Sequence, residues 1–224
     1  MNLIELLNIW DTNLFLLING FHNPFFDGVM FAISEKITWI PLYLSVLYIV
    51  IKRWNRDSVW VIIALILCIV IADQVSSGLI KHLVERPRPS HVESLSGLIH
   101  LVNDYRGGNY GFVSSHAANS FGFALLSSLL FRRNKYTIAI FIWALLNSYS
   151  RIYLGVHYPF DILGGAIVGV LAAIICFQTL KRMRPSLFYP HNNYSTIDNP
   201  KTIIPVYALG ITLLGIIIYS IVVF

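Results

Sequence analysis

Residues 203–224 run for twenty-two positions without a charged side chain. Roughly 20 mostly apolar residues carry a helix across about 30 Å of hydrocarbon, so a chain with such a run is bound to place a helix in a bilayer. The pattern repeats upstream. Residues 162–180 are nearly as clean, and Val59 to Ala72 are fourteen apolar residues in a row before the chain turns polar at Asp73, Gln74, Ser76 and Ser77. Residues 117–131 and 137–149 are shorter and extend by a turn or two at their ends. Gly28 to Ile33 and Ile37 to Ile51 are read as one span with Glu35 and Lys36 near its outer boundary. The fold class is therefore all-α, a polytopic membrane bundle of six transmembrane helices, at about 28–51, 58–80, 116–132, 136–153, 159–180 and 203–224. Composition agrees: 56% of residues are hydrophobic, 12% are charged and mean hydropathy is +0.68, against about 45–50% and 25% in soluble domains. Disorder, a disulfide scaffold and a nucleic-acid-binding module are excluded together. Cys68 and Cys176 both lie in apolar runs and read as packing residues.

Residues 1–22 are apolar in patches, punctuated by Glu5, Asn8, Asp11, Asn13 and Asn19. They have no basic leader and no small-residue cleavage site, which argues against a signal peptide. Leu3, Leu6, Leu7 and Trp10 recur at helical spacing and predict an interfacial helix ending at Asn23-Pro24; a seventh span is the alternative. The core is expected over 23–180, followed by a cytoplasmic linker at 181–202.

The net charge of +5 carries the topology. Ten of the sixteen Lys and Arg residues fall in the 52–57, 132–136 and 181–202 loops, which the positive-inside rule assigns to the cytoplasm. Both termini, the 81–115 segment and the 150–157 turn then face outward. The basic residues on that outer side are clustered. Lys81-His-Leu-Val-Glu-Arg-Pro-Arg88-Pro89 ends the second span, Val113-Ser114-Ser115-His116 opens the third, and Ser150-Arg151 precedes His157 and Asp161 between the fourth and fifth. A lone Lys could snorkel and a lone His could be an ordinary interfacial residue. Three such clusters on one membrane face argue for a site.

Lys81, Arg88 and Arg151 supply up to three positive charges, which suits a dianionic phosphate. Pro87 and Pro89 hold Arg88 extended. Gln74, Ser77 and Lys81 fall on one α-helical face, so the second span can present Lys81 on a polar stripe. His157 stands two residues before Pro159, a candidate first residue of the fifth helix, and Asp161 in its first turn is within reach of the imidazole, an arrangement that sets a tautomer and raises nucleophilicity. Ser114 and Ser115, with the N–H groups of a helix start, make an anion cradle beside His116. Two histidines at such a cradle imply that one attacks phosphorus and the other protonates the leaving oxygen.

Lys-x6-Arg-Pro, a Ser-x-His box and Ser-Arg-x5-His-x3-Asp, in that order, resemble the three-part signature of the type 2 phosphatidic acid phosphatase superfamily, over about residues 22–180. The resemblance implies that His157 is the nucleophile forming a phosphohistidine, Asp161 its partner and His116 the general acid, with Lys81, Arg88, Ser114 and Arg151 as phosphate ligands. It also implies that no metal or other cofactor is used. The family's second box usually reads Pro-Ser-Gly-His, and here Val113 and Ser115 replace the Pro and Gly. Ser115 keeps the N–H but adds a Cβ and gives up easy access to positive φ, so leaving-group fit is where a difference would be felt.

The resemblance implies a lipid phosphatase in a bacterial inner membrane with its site facing the periplasm. Its partners would be the bilayer and a membrane lipid substrate, with no nucleic acid. Candidate substrates are a lipid A phosphate, undecaprenyl diphosphate, phosphatidylglycerol phosphate and phosphatidic acid. A phosphotransferase using another alcohol in place of water is the second reading, and a non-catalytic bundle or transporter the third. Gly165-x3-Gly169 reads as a helix-packing face, and Asp73 should face the bundle interior. His82, His91 and His100 show no ligand spacing. The glycine-rich 90–112 loop is long enough for a headgroup lid. Asn193-Tyr-Ser is a sequon on the expected cytoplasmic side.

Overall fold

The structure is a computed structural model and describes residues 2–188 and 203–223. Among those residues the regular elements are helices and there is no strand: α1 (Leu3–Asn19), α2 (Pro24–Ser34), α3 (Ile40–Trp54), α4 (Ser58–Asp73), α5 (Lys81–Val84), α6 (Ser115–Phe131), α7 (Asn134–Tyr153), α8 (Pro159–Met183) and α9 (Ile204–Val223), with a largely irregular segment over 85–114. Three helical stretches, Ile37–Val84, Pro159–Met183 and Ile204–Val223, are long and apolar enough to cross a membrane. The first is not one rod. It reverses at Asn55 (φ 47°, ψ −118°), so that α3 and α4 pack side by side. Most of the 181–202 segment and the whole sequon lie outside the described residues.

Helix α6 is the centre of the bundle and packs against α8, α7 and α4. Its contact with α8 is close enough to exclude a methyl group. A Cβ on Gly165 would strike the Ser114 carbonyl, and one on Gly169 would strike the Ala118 carbonyl and come within 2.8 Å of the Gly122 nitrogen. The Gly165-x3-Gly169 face thus seats α8 directly on the turn of α6 that carries Ser114. Cys68 and Cys176 are both free and buried.

The stretch read as one span at 28–51 is two helices. Glu35 (φ −77°, ψ 129°) closes α2, a 3-10 turn follows at Ile37–Trp39, and Pro41 stands in the first turn of α3. The last carbonyls of α2, left open by this break, are taken by side chains. Thr38 Oγ1 donates to the Ala32 carbonyl at 2.7 Å, and Trp39 Nε1 to that of Ile33 at 2.8 Å.

Helix α1 divides its faces differently from what its apolar stripe alone implies. Leu3 and Trp10 are 70% and 65% exposed, whereas Asp11, Phe15 and Asn19, at i, i+4 and i+8, are buried against α7 and α8. Asn19 bridges two elements, donating to the Tyr153 carbonyl at 2.8 Å and accepting from the His100 N–H at 2.7 Å. Two of the polar residues that interrupt the segment, Asp11 and Asn19, belong to its docking face, while Glu5, Asn8 and Asn13 are exposed.

Candidate active site

One end of the bundle gathers the end of α4–α5, the start of α6, the end of α7 and the start of α8, and with them all three sequence clusters. Between α4 and α5 the chain winds as a π-helix over Gln74–Ile80, in which the Lys81 N–H bonds to the Ser76 carbonyl five residues back. Such wide turns are rare and concentrate at functional sites. They also change the face expected from α-helical spacing: Gln74 is exposed and Ser76 fully buried. Lys81 is half-buried and lies in the electrostatic field of Arg88, Arg151 and Asp161.

Glu85, in the left-handed region at φ 51°, ends α5 and releases the Arg86-Pro-Arg88-Pro run. Arg88 is extended (φ −70°, ψ 155°), as its two prolines require. It is 8% exposed, with Nε donating to the Tyr110 carbonyl at 3.1 Å and Nη1 to that of Val156 at 3.4 Å. Arg151, 2% exposed, donates to the Ser34 hydroxyl and, from Nη2, to the Tyr105 hydroxyl at 3.0 Å, while its Nε has no partner. Neither guanidinium forms an ion pair with a carboxylate among the described residues. Buried cations held by neutral acceptors remain uncompensated, a costly state unless an anion joins them.

Gly155, at φ 75°, makes the turn from α7 to α8 under the His100 backbone and the Leu101 side chain, where a Cβ would lie 2.9 Å from the His100 carbonyl oxygen. His157 follows, fully buried, with Pro159 as the first residue of α8 and Asp161 two positions on. Asp161 Oδ2 lies 3.2 Å from His157 Nδ1 and accepts the Tyr158 N–H at 3.0 Å, while Oδ1 accepts from Arg86 Nη1 at 3.0 Å. A carboxylate so surrounded only accepts, so the imidazole proton sits on Nδ1 and the lone pair on Nε2. That Nε2 has no partner. Burial, then Arg88, Arg151 and Lys81, hold the His157 imidazole well below the usual 6.5 and keep it neutral.

Ser114 is the N-cap of α6, fully buried; its N–H donates to the Asp161 carbonyl at 2.9 Å and its Oγ accepts from Ala117 N–H at 3.4 Å. A hydroxyl that accepts at one lone pair keeps its proton to donate. Ser115 is the first residue of α6 and is absent from the positive-φ residues, so the backbone freedom of glycine is not used at this position. His116 follows it, partly exposed, and feels the charges of Arg151, Arg88 and Lys36 and the neighbouring His157.

Four further residues join the site that composition and spacing did not single out. Arg86 Nη1 reaches Asp11 Oδ2 at 2.8 Å as well as Asp161, and its guanidinium lies 4.0 Å over the Tyr158 ring. Asp11 also accepts the Phe160 N–H at 2.9 Å, tying α1 to the first turn of α8. Tyr105, from the 90–112 loop, and Ser34, from the end of α2, flank Arg151. The signals for Arg86 and Asp11 were the doubled Arg-Pro step and the i, i+4, i+8 spacing of Asp11, Phe15 and Asn19. Nothing local marks Ser34. Among the described residues no group of three His, Cys, Asp or Glu side chains converges as metal ligands.

The model of the PAP2 superfamily matches residues 58–185, which span every cluster of this site. The chain belongs to the PAP2 superfamily. It is 40% identical to a lipid A 4'-phosphatase of Bacteroides thetaiotaomicron over 98% of this chain and 99% of that one. It is 38% identical to a lipid A 4'-phosphatase of Porphyromonas gingivalis over 75% and 72% of the two chains. Among solved structures it resembles Aquifex aeolicus LpxE, with a TM-score of 0.59 and 26% identity, over 75% of this chain and 94% of that one. The PAP2 membership agrees with the resemblance carried by the three sequence clusters.

Proposed function

We propose that this chain is an integral membrane lipid phosphatase that removes the phosphate from a lipid A-type glycolipid through a phosphohistidine. The observation that carries the reading is His157: its Nδ1 is held by Asp161, its Nε2 is unpartnered, and the imidazole lies buried in the electrostatic field of Arg88 and Arg151, neither of which is paired with a carboxylate among the described residues. The likeness to two lipid A 4'-phosphatases supports the substrate.

In this mechanism the lipid phosphate docks against Lys81, Arg88, Arg151, the Ser114 hydroxyl and the N–H groups at the start of α6. Positive charge preorganised at the equatorial oxygens stabilises the transition state. The His157 Nε2 lone pair attacks phosphorus in line, and the bond from phosphorus to the leaving oxygen breaks as His116 gives that oxygen its proton. Asp161 stabilises the imidazolium that forms. Water then attacks the phosphohistidine, giving its proton to His116 as the P–N bond breaks, and inorganic phosphate leaves.

The site belongs at the outer leaflet of a bacterial inner membrane, facing the periplasm, in a six-span topology whose cytoplasmic loops carry the remaining basic residues. The 90–112 loop, holding Tyr105 against Arg151, covers it as a headgroup lid. The test is phosphate release from lipid A, undecaprenyl diphosphate, phosphatidylglycerol phosphate and phosphatidic acid by purified protein, with His157→Ala as the blank. Release from lipid A by wild type and none by the variant is the expected result. Activity retained by His157→Ala would end the mechanism, and a newly phosphorylated lipid in place of free phosphate would make the enzyme a phosphotransferase.

A further inference from the structure

The groups that would hold and attack the phosphate are covered in this structure. His157 and Ser114 are fully buried, Arg151 is 2% exposed and Arg88 8%, and both His157 Nε2 and Arg151 Nε are buried without a partner. A phosphate dianion reaches these atoms only after part of the cover moves. Arg151 shows which part. Its guanidinium is bonded to two hydroxyls: Ser34, buried at the end of α2, takes Nη1, and Tyr105, a side chain 36% exposed in the 90–112 loop, takes Nη2 at 3.0 Å with its ring centre 5.3 Å from the guanidinium carbon. We propose that Tyr105 is a latch: in the ligand-free enzyme its hydroxyl occupies the phosphate-binding edge of Arg151, and the incoming phosphate displaces it. The proposal rests on the phosphatase reading above.

The Nε–H and one Nη2 N–H of a guanidinium point the same way along one edge, and such an edge holds a phosphate through two parallel hydrogen bonds. In Arg151 one nitrogen of that edge is unpartnered and the other is bonded to a neutral phenol. A phosphate offers charged oxygens to both nitrogens, so it displaces a group that satisfies one. Ser34 is bonded to Nη1, off this edge, and keeps the guanidinium oriented during the exchange. Arg88 has no such latch. Its Nε and Nη1 donate to the backbone carbonyls of Tyr110 and Val156, which no side-chain rotation removes.

The chain around Tyr105 confines the movement to three residues. Val102 before it is buried in the bundle core. Arg106 after it exchanges two hydrogen bonds with Ser90, giving Nη1 to the Ser90 carbonyl at 3.0 Å and accepting Ser90 Oγ on its own carbonyl at 2.7 Å. Further back the loop is pinned at His100, whose N–H donates to Asn19 Oδ1 at 2.7 Å and whose Nε2 lies 2.9 Å from Asp27 Oδ1. Between these fixed points Asn103, Asp104 and Tyr105 are exposed. Asn103 and Asp104 both stand in the left-handed region, at φ 53° and 54°, which residues with side chains seldom occupy. A return of either to a common backbone region swings the residue that follows, which is how a short hinge re-aims a side chain.

Inorganic phosphate is the probe, and isothermal titration calorimetry of the purified full chain in detergent reads its Kd in wild type and Tyr105→Phe. Phenylalanine keeps the ring and removes the hydroxyl, so the Arg151 edge is open beforehand. The expected result is binding about tenfold tighter in Tyr105→Phe, the worth of one hydrogen bond that no longer has to be broken. In wild type, hydrogen exchange read by mass spectrometry should show the 103–105 amides exchanging faster at saturating phosphate, because the latch is then released. A hydroxyl that only positions Arg151 gives the opposite: weaker or unchanged phosphate binding in Tyr105→Phe, and 103–105 amides that are protected or unaltered by phosphate. Either of those results overturns the latch and spares the phosphatase reading. That reading fails separately, as wild type that releases phosphate from none of the four lipids named above.

Discussion

Asp161 and Arg86 are joined at 3.0 Å, and through the same Nη1 nitrogen Arg86 reaches Asp11 at 2.8 Å, so the carboxylate that orients His157 is anchored to the N-terminal helix. Both aspartates are fully buried, while Arg86 is 18% exposed. A single cation therefore compensates two buried carboxylates, one in the proposed catalytic pair and one far from it in sequence.

Removing that cation should be costly. Arg86→Met leaves both carboxylates without their ion pair, and breaking a buried pair in this way costs about 3–5 kcal/mol. The expected outcome is a clear loss of thermal stability in detergent together with a fall in kcat. Asp11→Asn, which retains an acceptor for the Phe160 N–H, should lose much less of both. Equal stability of Arg86→Met and wild type in a melting experiment would remove Arg86 from its anchoring role.

The two histidines should separate by leaving group. His116→Ala is expected to lower kcat on a lipid phosphate by about 10²–10⁴, the usual worth of a general acid. With p-nitrophenyl phosphate, whose leaving oxygen needs little protonation, the deficit should shrink. His157→Ala should be inactive on both substrates, and acid-labile phosphate on residue 157 should be trapped by rapid quench in wild type. A His116→Ala deficit that is the same for both substrates argues against proton donation.

The pH behaviour of His157 follows from its depressed constant. Its folded value lies well below the unfolded 6.5 because burial and three nearby cations oppose protonation. Above about pH 6.5 both states are neutral and the group contributes nothing to pH dependence. As pH falls below 6.5 the unfolded chain takes up a proton that the folded protein refuses, so stability is lost toward acid. Nitrogen-15 NMR of histidine-labelled protein should show the His157 ring untitrated between about pH 7.5 and 5.5, where a free imidazole titrates. Titration near 6.5 in the ligand-free protein would contradict the burial.

At the α6–α8 contact, Gly169→Ala should be destabilising by about 1–3 kcal/mol, the range for overpacking, because the new methyl meets backbone atoms of Ala118 and Gly122. Gly215→Ala, where nothing lies within 4 Å, is the matched control and should be near neutral. Melting temperatures of the two variants in one detergent decide it.

The helical class and the three clusters that meet at one end of the bundle are written in local sequence. An uncharged run of twenty-two residues has few outcomes, and the Pro159, Asp161 and His157 spacing sets an imidazole against a carboxylate through the geometry of one helix start. What stayed hidden depended on distance along the chain or on a change of period. The 28–51 segment broke at Glu35, where the backbone turns extended at the Glu35-Lys36 pair that interrupts the apolar run. The π-helix before Lys81 turned Gln74 outward where α-spacing put it beside the lysine. Asp11 looked like an interruption in an interfacial helix, and only the seating of α1 on α8 made it part of the site. Sequence by itself determined which residues supply the charges, imidazoles and caps that the proposed chemistry uses, because these are local properties. Tertiary structure decided which of them are buried together and what holds them, because an ion pair across seventy-five residues between Arg86 and Asp161 exists only once the helices have packed.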